Sequence, residues 1–501
     1  MHGAIMVCGT ASDAGKSTVT TGLCRLLARR GVAVAPFKGQ NMSLNSMVTA
    51  DGGEIGRAQW LQALAAGAEP EVAMNPVLLK PTGERAAHVV VMGHPAGEEE
   101  AGRYLATKRT LVDVVDRALA SLRARYDVVV CEGAGSPAEI NLLRDDLVNL
   151  GLARRAGIPA IVVGDIERGG VFAHLYGTVA ILPPELSSLV GGFVVNRFRG
   201  DRALLGGATA ELEDRCGIPT FGVLPHLGPL ELDAEDSLVL ARASGAPPPG
   251  VAGIDVAAIR LPRLSNFTDL DPLVVEPGVH VRWVDQPGAL GDPDLVVLGG
   301  SRATTADLQW LRDNGLAGAL TALRAAPVPP AFLGICGGFQ MLGTSIEDPD
   351  GVESATATTA GLGWLPVHTV FGTEKITRLA SATGPGGTPL HGYEIRHGHV
   401  ARQPGCTAWL DRTPAASARD AAGMVVGTTL HGLFEADAFR AGFLAEIAAR
   451  RGRAWRSSGA SYAAARDGQV DRIADACESY LDTEQLWRLV EGGVHHAARP
   501  A

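Results

Sequence analysis

The chain is poor in aromatic residues and in positive charge. Phe, Trp and Tyr make up 5% of its 501 residues, and 44 Lys and Arg stand against 54 Asp and Glu, which gives a net charge of −10. A protein that binds the phosphate backbone of nucleic acid meets it mainly with Lys and Arg. The composition therefore argues against a nucleic-acid partner, and no basic run indicates binding to a membrane surface.

The sequence also lacks the patterns of a secreted or membrane protein. Its seven cysteines, at positions 8, 24, 131, 216, 336, 406 and 477, are scattered and form no CxxC pair. Such a set predicts neither a disulfide framework nor a zinc site, and it favours a reducing compartment. No run approaches the ~18 apolar residues of a membrane span, and MHGAIMVCGT does not read as a signal peptide. We therefore expect a cytoplasmic protein without a membrane partner.

Short apolar runs alternate with helical patterns along most of the chain. The runs AIMVCG, DVVVCEG, PAIVVGD and GGFVVNRF are each closed by Gly or polar residues, as expected for parallel strands buried on both faces. The length exceeds what one core supports, and ARASGAPPPGVAG has the composition of a linker. The sequence predicts two α/β domains (1–240 and 254–445), joined by a linker (241–253) and followed by a helical tail (446–501).

The stretch GTASDAGKS, residues 9–17, lies between a predicted strand and a helix predicted over 17–31. In this context a Gly-rich loop predicts phosphate binding by backbone N–H groups at the positive end of the helix. Lys16 would neutralise the β- and γ-phosphates, and the Ser17 hydroxyl would bind Mg²⁺. The loop encloses one residue more than the usual spacing, so a plain strand–helix turn is the alternative. The predicted nucleotide-binding residues here are Asp13, Gly15, Lys16, Ser17 and Thr18.

Further polar residues follow other predicted strands at the edge where ligands of parallel sheets bind. Glu132 directly follows an apolar run and is the predicted second metal ligand, with Asp165 as an alternative. Asn196 closes the run FVVN and would contact the nucleobase, unless it only caps the strand. Lys38, in APFKGQNM, would reach the γ-phosphate or an acidic substrate, although many lysines simply lie on the surface.

A cysteine occupies a tight turn in LGICGGFQ, residues 333–340. Small neighbours allow a strained strand-to-helix turn that presents the side chain above the sheet edge. The helix that begins near Gly337 places its positive end beside the Cys336 sulfur, where it would stabilise a thiolate. The Gly337 N–H would be one oxyanion donor, and Gly300 or Ser301 in VVLGGSR would supply the other. The alternative for Cys336 is a small buried apolar residue.

A nucleophilic thiol needs a base, and His431 is the predicted one. It follows the apolar run of MVVGTTLHGLF, as expected for a histidine that a neighbouring strand presents to the thiol. Most of the thirteen histidines of a chain like this are structural or exposed. Position at the end of a strand is what distinguishes His431 from them.

These motifs resemble known families. GICGGFQ is similar to the motif of class I glutamine amidotransferases, and GTASDAGKS is similar to the loop of dethiobiotin synthetase and its relatives. Joined in this order, they resemble the cobyrinic-acid amidating family. FKGQNMSLNS, MNPVLLKP, EGAGSPAEINL, DIERGGVFA, NRFRGD, LSNFTD, GYEI and LHGLF extend the resemblance over about 12–434.

The resemblance implies a P-loop, dethiobiotin-synthetase-like domain followed by a flavodoxin-like glutamine amidotransferase domain. It implies ATP- and glutamine-dependent amidation of the b, d, e and g carboxylates of adenosylcobyrinic acid a,c-diamide, with ATP, Mg²⁺ and L-glutamine as cofactors and cosubstrate. The partners would be small molecules, a corrinoid among them, and a homodimer stays open. Glutamine would release ammonia through a thioester on the cysteine, and the ammonia would displace phosphate from an acyl phosphate.

Three departures and two rivals accompany this resemblance. Leu433 stands where class I glutaminases usually carry the Glu that orients the histidine, which leaves Glu435 and Glu394 as candidates. Gly299 replaces a common Pro, and Arg396 replaces a common His. One rival is the sister enzyme that amidates carboxylates a and c of cobyrinic acid, against which QNMSLNS argues. The other is a P-loop ATPase fused to a non-catalytic glutaminase-like module.

Overall fold

The computed structural model describes residues 1–82, 86–228, 253–413 and 415–494, with the backbone alone described over 98–107. The predicted linker lies outside these residues except for Gly253. In the first part of the chain the strands are β1 (Gly3–Gly9), β2 (Val34–Phe37), β3 (Gln40–Met42), β4 (Ser46–Val48), β5 (Glu54–Gly56), β6 (Val77–Pro81), β7 (Ala86–Val91), β8 (His94–Glu100), β9 (Val128–Glu132), β10 (Ala160–Asp165), β11 (Val190–Phe198) and β12 (Thr220–Pro225). The helices are α1 (Lys16–Arg29), α2 (Arg57–Ala66), α3 (Ala101–Arg123), α4 (Leu150–Ala156), α5 (Val171–Ala180), α6 (Pro184–Ser187) and α7 (Ala208–Cys216).

The main sheet of this part is parallel and six-stranded, in the order β12-β11-β10-β1-β9-β2. Its strands are nearly continuous apolar runs because helices cover both faces. The carboxyl ends of β1, β9, β10 and β11 therefore meet at one edge, where the predicted phosphate loop begins. A smaller sheet, β3-β6-β7-β8, extends from the segment after β2.

In the second part the strands are β13 (Ile254–Ile259), β14 (Leu264–Ser265), β15 (Val279–Val284), β16 (Leu295–Leu298), β17 (Gly300–Ser301), β18 (Ala331–Ile335), β19 (Ser345–Glu347), β20 (Thr358–Ala360), β21 (Val367–Thr383), β22 (Pro389–Arg402), β23 (Ser417–Arg419) and β24 (Val425–Thr428). The helices are α8 (Asp271–Val274), α9 (Thr304–Asp313), α10 (Leu316–Arg324), α11 (Gly337–Leu342), α12 (Asp437–Arg450), α13 (Tyr462–Tyr480) and α14 (Thr483–Gly492).

The second part is built around another six-stranded sheet, in the order β15-β13-β16-β18-β24-β23. All neighbouring pairs in it are parallel except β23 with β24. Strands β18 and β24 are adjacent, so the turns that follow them lie side by side. Strands β21 and β22 form a long antiparallel hairpin with an irregularity between Phe371 and Ile376.

The last two helices pack on the first sheet and not on the second. Val470 and Ile473 of α13 and Trp487 of α14 are buried in the same apolar cluster as Leu23 of α1. A Cβ on Gly22 of α1 would lie 2.6 Å from the sulfur of Cys477, so the two helices approach closely there. The chain thus returns to its first part after completing the second.

The two parts contact each other through β4, β5 and α2 on one side and the β21–β22 hairpin with its neighbours on the other. Lys375 pairs with Glu54 at 2.5 Å, and Arg57 pairs with Glu435 at 3.0 Å. Within the described ranges, no helix is long and apolar enough to cross a membrane.

A buried ion pair between α12 and the segment after α8 gives a test of this fold. Arg440 and Glu276 are both almost fully buried and are joined at 3.0 Å. We expect Arg440→Met to lower the free energy of unfolding by about 3–5 kcal/mol, because it leaves a buried carboxylate without its partner. Denaturant unfolding followed by circular dichroism measures this.

The matched control lies on the same helix. Arg450 pairs with Glu446 at 2.6 Å, but both side chains are partly exposed. Arg450→Met should cost no more than about 1 kcal/mol. Equal losses in the two variants would contradict a structural role for the buried pair.

Candidate active sites

The phosphate loop runs from the end of β1 to the start of α1. Gly15 precedes the helix with φ 99° and Asp13 has φ 61°, both in the left-handed region. A Cβ at Gly15 would lie 1.9 Å from the amide nitrogen of Asn196, so only glycine fits there. Thr18 lies in the first turn of α1 and is half-buried. Helix α1 ends at Arg29, two residues before the predicted stop at Gly31.

Lys16 folds back over this loop. Its Nζ donates to the carbonyl oxygens of Ala11 at 2.9 Å and Gly135 at 3.0 Å, and the side chain is 7% exposed. The ammonium group therefore lies between the loop after β1 and the loop after β9. It is positioned to meet an anion bound by the backbone N–H groups of the first loop.

Glu132, at the end of β9, gathers three side chains around its carboxylate. Oε1 accepts from the Ser17 hydroxyl at 2.8 Å and from the Lys38 ammonium at 2.9 Å, while Oε2 accepts from the Gln62 amide at 2.5 Å. Glu132 is 1% exposed and Lys38 is 4% exposed. Three residues expected at this site from the sequence, Ser17, Lys38 and Glu132, are thus in direct contact, and Gln62 joins them.

Asp165 and Asn196 lie nearby but have other partners. Asp165 pairs with Arg197 at 2.8 Å, and Arg197 also pairs with Asp13 at 3.1 Å. The Asn196 amide donates to the Ala14 carbonyl at 3.1 Å, so it supports the loop. Of the two acids considered from the sequence, Glu132 is the one that contacts Ser17. The hydroxyl and carboxylate oxygens of that pair are the ligand type that Mg²⁺ prefers.

Cys336 occupies a strained position between β18 and α11. It has φ 50° and ψ −108°, a conformation that costs a residue with a side chain about 1–3 kcal/mol. The Cys336 N–H donates to Thr428 of β24 at 2.8 Å, which ties the turn to the neighbouring strand. Glycine is required beside it, since a Cβ at Gly338 would lie 1.9 Å from the carbonyl oxygen of Leu298.

The predicted oxyanion residues lie around this turn. A Cβ on Gly337 would be 2.8 Å from the backbone nitrogen of Ser301, and one on Gly300 would be 3.2 Å from Cε1 of His431. Gly299 accepts a backbone hydrogen bond from Gly338 at 3.0 Å, which fixes the two loops together. The structure therefore brings both candidate donor segments to the thiol, and their role stays a prediction.

His431 follows β24 and is 1% exposed. Its Nδ1 lies 2.7 Å from Asp269 Oδ2, and Asp269 Oδ1 accepts from the Gly432 N–H at 2.8 Å. Tyr393 stacks on the imidazole with ring centroids 5.2 Å apart. Burial by itself lowers the pKa of His431, but the charges of Asp269 and Cys336 and the hydrogen bonds to both outweigh it and raise that pKa to about 10. Cys336, His431 and Asp269 thus lie together as a thiol–imidazole–carboxylate triad, in which His431 bonds to Asp269 and the Cys336 Sγ lies 3.8 Å from the Ile395 carbonyl oxygen.

Neither carboxylate considered from the sequence orients His431. Glu435 pairs with Arg57, and Glu394 lies between Arg378 at 2.5 Å and Arg396 at 2.8 Å. Each carboxylate is therefore satisfied by guanidinium groups. Asp269, the residue that sequence reasoning missed, ends the stretch LSNFTD. That stretch contributed to the family resemblance without receiving a role.

Both parts of the chain match known protein families. The family "CobQ/CobB/MinD/ParA nucleotide binding domain" matches residues 5–239, and "CobB/CobQ-like glutamine amidotransferase domain" matches 255–439. A protein named cobyric acid synthase from Mycobacterium sp. (strain KMS) is 53% identical over 98% of this chain and 97% of the relative. The chain belongs to the cobyric acid synthase family. Proteins of that name from Nocardia farcinica and Streptomyces coelicolor are each 51% identical to this chain over 98% of its length. The matches span 98% and 97% of the lengths of those two relatives.

Membership in the cobyric acid synthase family confirms the predicted family and the α/β fold class. The phosphate loop lies in the region that matches the nucleotide-binding family, and Cys336 with His431 lies in the region that matches the amidotransferase family. The triad completed by Asp269 lies wholly within the second region.

Asp269→Asn tests the triad. The substitution keeps the size of the side chain but removes the charge that raises the pKa of His431. Because Asp269 raises the pKa of His431 in the intact site, the imidazolium of the variant should lose its proton at lower pH. We expect glutamate release from glutamine to fall roughly 100-fold or more, as when a catalytic histidine loses its orienting carboxylate, and its alkaline limb to move to lower pH.

Glu435→Gln is the control for this prediction. It changes a carboxylate four residues from His431 that pairs with Arg57 instead. Its pH profile should match that of the unmodified chain. If Glu435→Gln shifted the alkaline limb and Asp269→Asn did not, the assignment of the orienting carboxylate would be wrong.

Proposed function

We propose that the chain makes adenosylcobyric acid by amidating the b, d, e and g carboxylates of adenosylcobyrinic acid a,c-diamide, with glutamine as nitrogen source and ATP as activator. The observation that carries this proposal is the presence of two candidate sites in one chain. A thiol–imidazole–carboxylate triad lies in the second part, and a phosphate loop with a buried Glu132 lies in the first. Membership in the cobyric acid synthase family supports the corrinoid substrate.

In the second part, Cys336 is the nucleophile. Its sulfur passes its proton to His431 and attacks the side-chain carbonyl carbon of glutamine, and the backbone N–H groups of Gly337 and of Gly300 or Ser301 would stabilise the oxyanion. His431 gives a proton to the leaving nitrogen, which departs as ammonia and leaves a γ-glutamyl thioester. Water, deprotonated by His431, then hydrolyses the thioester to glutamate and restores the thiol.

In the first part, ATP activates the substrate. The γ-phosphoryl group passes to a carboxylate oxygen, which gives ADP and an acyl phosphate, and ammonia displaces phosphate to form the amide. The N–H groups of residues 13–17 would hold the phosphates, with Lys16 as their counter-charge and Lys38 beside them. Ser17 and Glu132 would hold Mg²⁺, which neutralises charge on the transferring phosphoryl group when bound.

The two sites predict a clean separation of nitrogen sources. Cys336→Ala should abolish glutamine-dependent amidation and leave amidation with free ammonia near its normal rate, because the acyl phosphate forms elsewhere. Product formation with each nitrogen source, followed by chromatography, measures both. Loss of the ammonia-dependent reaction in a folded variant would contradict the division of labour.

Lys16→Ala should impair amidation from both nitrogen sources, unlike Cys336→Ala. Without the ammonium that meets the phosphates, amidation should fall by at least about 100-fold with either nitrogen source, as expected when a positioned charge on the transferring group is removed. Mass spectrometry of the corrinoid after incubation with the a,c-diamide, ATP, Mg²⁺ and glutamine gives the readout.

The same measurement tests the substrate. The unmodified chain should show four successive mass changes, each that of an OH replaced by NH₂. Turnover of cobyrinic acid instead would favour the sister activity.

A further inference from the structure

Two reciprocal hydrogen bonds join the first part of the chain to the turn that carries Asp269. Oδ1 of Asn45 accepts from the Phe267 N–H at 3.1 Å, and Oδ1 of Asn266 accepts from the Ser46 N–H at 3.1 Å. Asn45 and Ser46 are each 1% exposed and Asn266 is 4% exposed. Because buried N–H groups are costly to leave unpaired, these two bonds fix the register of one segment against the other.

The turn at 266–269 is held on both sides: Phe267 and Leu270 pack in the apolar clusters of the second part, and the backbone of Phe267 bonds to the first part. Asn266 adopts the left-handed conformation, with φ 50° and ψ 42°, and its carbonyl accepts from the Asp269 N–H at 3.0 Å. The next contacts of Asp269 are its two carboxylate bonds to His431 and Gly432. The position of the carboxylate therefore depends on what holds Asn266 and Phe267. The Phe267 ring packs against Trp283 of the second part, while the Phe267 N–H and the Asn266 side chain bond to the first part.

The same segment reaches His431 from a second side. Tyr393 stacks on the imidazole and exchanges backbone hydrogen bonds with His431 at 2.9 and 3.2 Å. The Tyr393 side chain packs in a small buried cluster with Met47 and Val48 of β4. Residues 45–48 thus contact both the carboxylate turn and the aromatic ring that flank the imidazole.

The supporting segment is itself firmly anchored. The Ser46 hydroxyl donates to Glu54 at 2.6 Å and accepts from the Lys80 ammonium at 2.9 Å. Glu54 also pairs with Lys375 of β21. The three charged groups and the hydroxyl form one buried network, so Asn45 presents its side chain from a rigid base.

We propose that Asn45 is a positioning residue for His431, acting through the turn that carries Asp269. Asn45 would act on this turn and not on the reacting atoms. It supplies, from the nucleotide-binding part of the chain, the acceptor that holds the Phe267 N–H and with it the orienting carboxylate. The glutaminase triad lies within the second part and receives support for its carboxylate from the first part. This inference rests on the proposed function.

Asn45→Leu tests the proposal, because it removes the acceptor and keeps a similar volume. We expect kcat for glutamate release to fall about 10- to 100-fold, the range typical of lost support behind a functional ligand, with a smaller change in KM for glutamine. The alkaline limb of the pH profile should move in the direction of the Asp269→Asn variant, because Asp269 and Cys336 are the charged groups that set the protonation of His431. Amidation with free ammonia should be retained.

Two further variants separate positioning from general damage. Asn45→Asp retains an oxygen acceptor for the Phe267 N–H and should recover most of the activity. Asn41→Leu removes a buried amide from the preceding strand, β3. This amide bonds to Gln59 at 2.9 Å and not to the turn. The substitution should destabilise the chain to a comparable extent without moving the pH profile.

If Asn45→Leu does not fold, Asn266→Gly gives the same test from the other side. Glycine keeps the left-handed conformation and deletes the acceptor for the Ser46 N–H. An unchanged pH profile in the folded variant, or an Asn45→Asp no better than Asn45→Leu, overturns the proposal while the proposed function stands. Absence of glutamate release by the unmodified chain would overturn both.

Discussion

The bond between Asp269 and His431 is the interaction on which the second site depends. A buried imidazole beside a thiol has no fixed tautomer or orientation of its own, and burial alone favours its neutral form. The carboxylate at 2.7 Å supplies both orientation and charge. Because it lies 162 residues away in sequence, the whole second sheet must form before the triad exists. The strained turn at Cys336 can present its thiol to the imidazole only after the triad has assembled.

The first site has a comparable centre in Glu132. One carboxylate meets a hydroxyl, an ammonium and an amide from three different segments, and the ammonium of Lys38 and the amide of Gln62 are buried. Its backbone position at the end of β9, adjacent to β1, places it beside the start of α1. Each site thus consists of a carboxylate that joins sequence-distant groups at the carboxyl edge of a parallel sheet, where open α/β folds bind their ligands.

Local sequence patterns predicted much of the fold and of the two sites, whereas contacts between distant segments were not predicted. A Gly-rich loop between strand and helix identified Lys16 and Ser17, and small residues around a thiol identified Cys336, because those constraints are written in consecutive residues. Asp269 and Gln62 reach their sites from other segments, and no local pattern marks an acid or an amide for such a contact. Asn196 shows the same limit. It was predicted to close its strand, but β11 continues to Phe198, and its bond to Ala14 was not predicted. The fold class followed from apolar runs, whose period does not depend on distant contacts.

The return of α13 and α14 to the first sheet bears on how the chain is made. The first sheet leaves the ribosome early, yet residues that cover one of its faces, such as Val470 and Trp487, are among the last to be synthesised. Helix α1 covers part of that face, and the remainder, along β1 and β12, stays uncovered while the second part folds. Synthesis proceeds at roughly 5–20 residues per second, so the wait lasts on the order of ten seconds or more. A nascent chain of this design would be a client for chaperones that shield exposed strands, until its final helices close over the sheet.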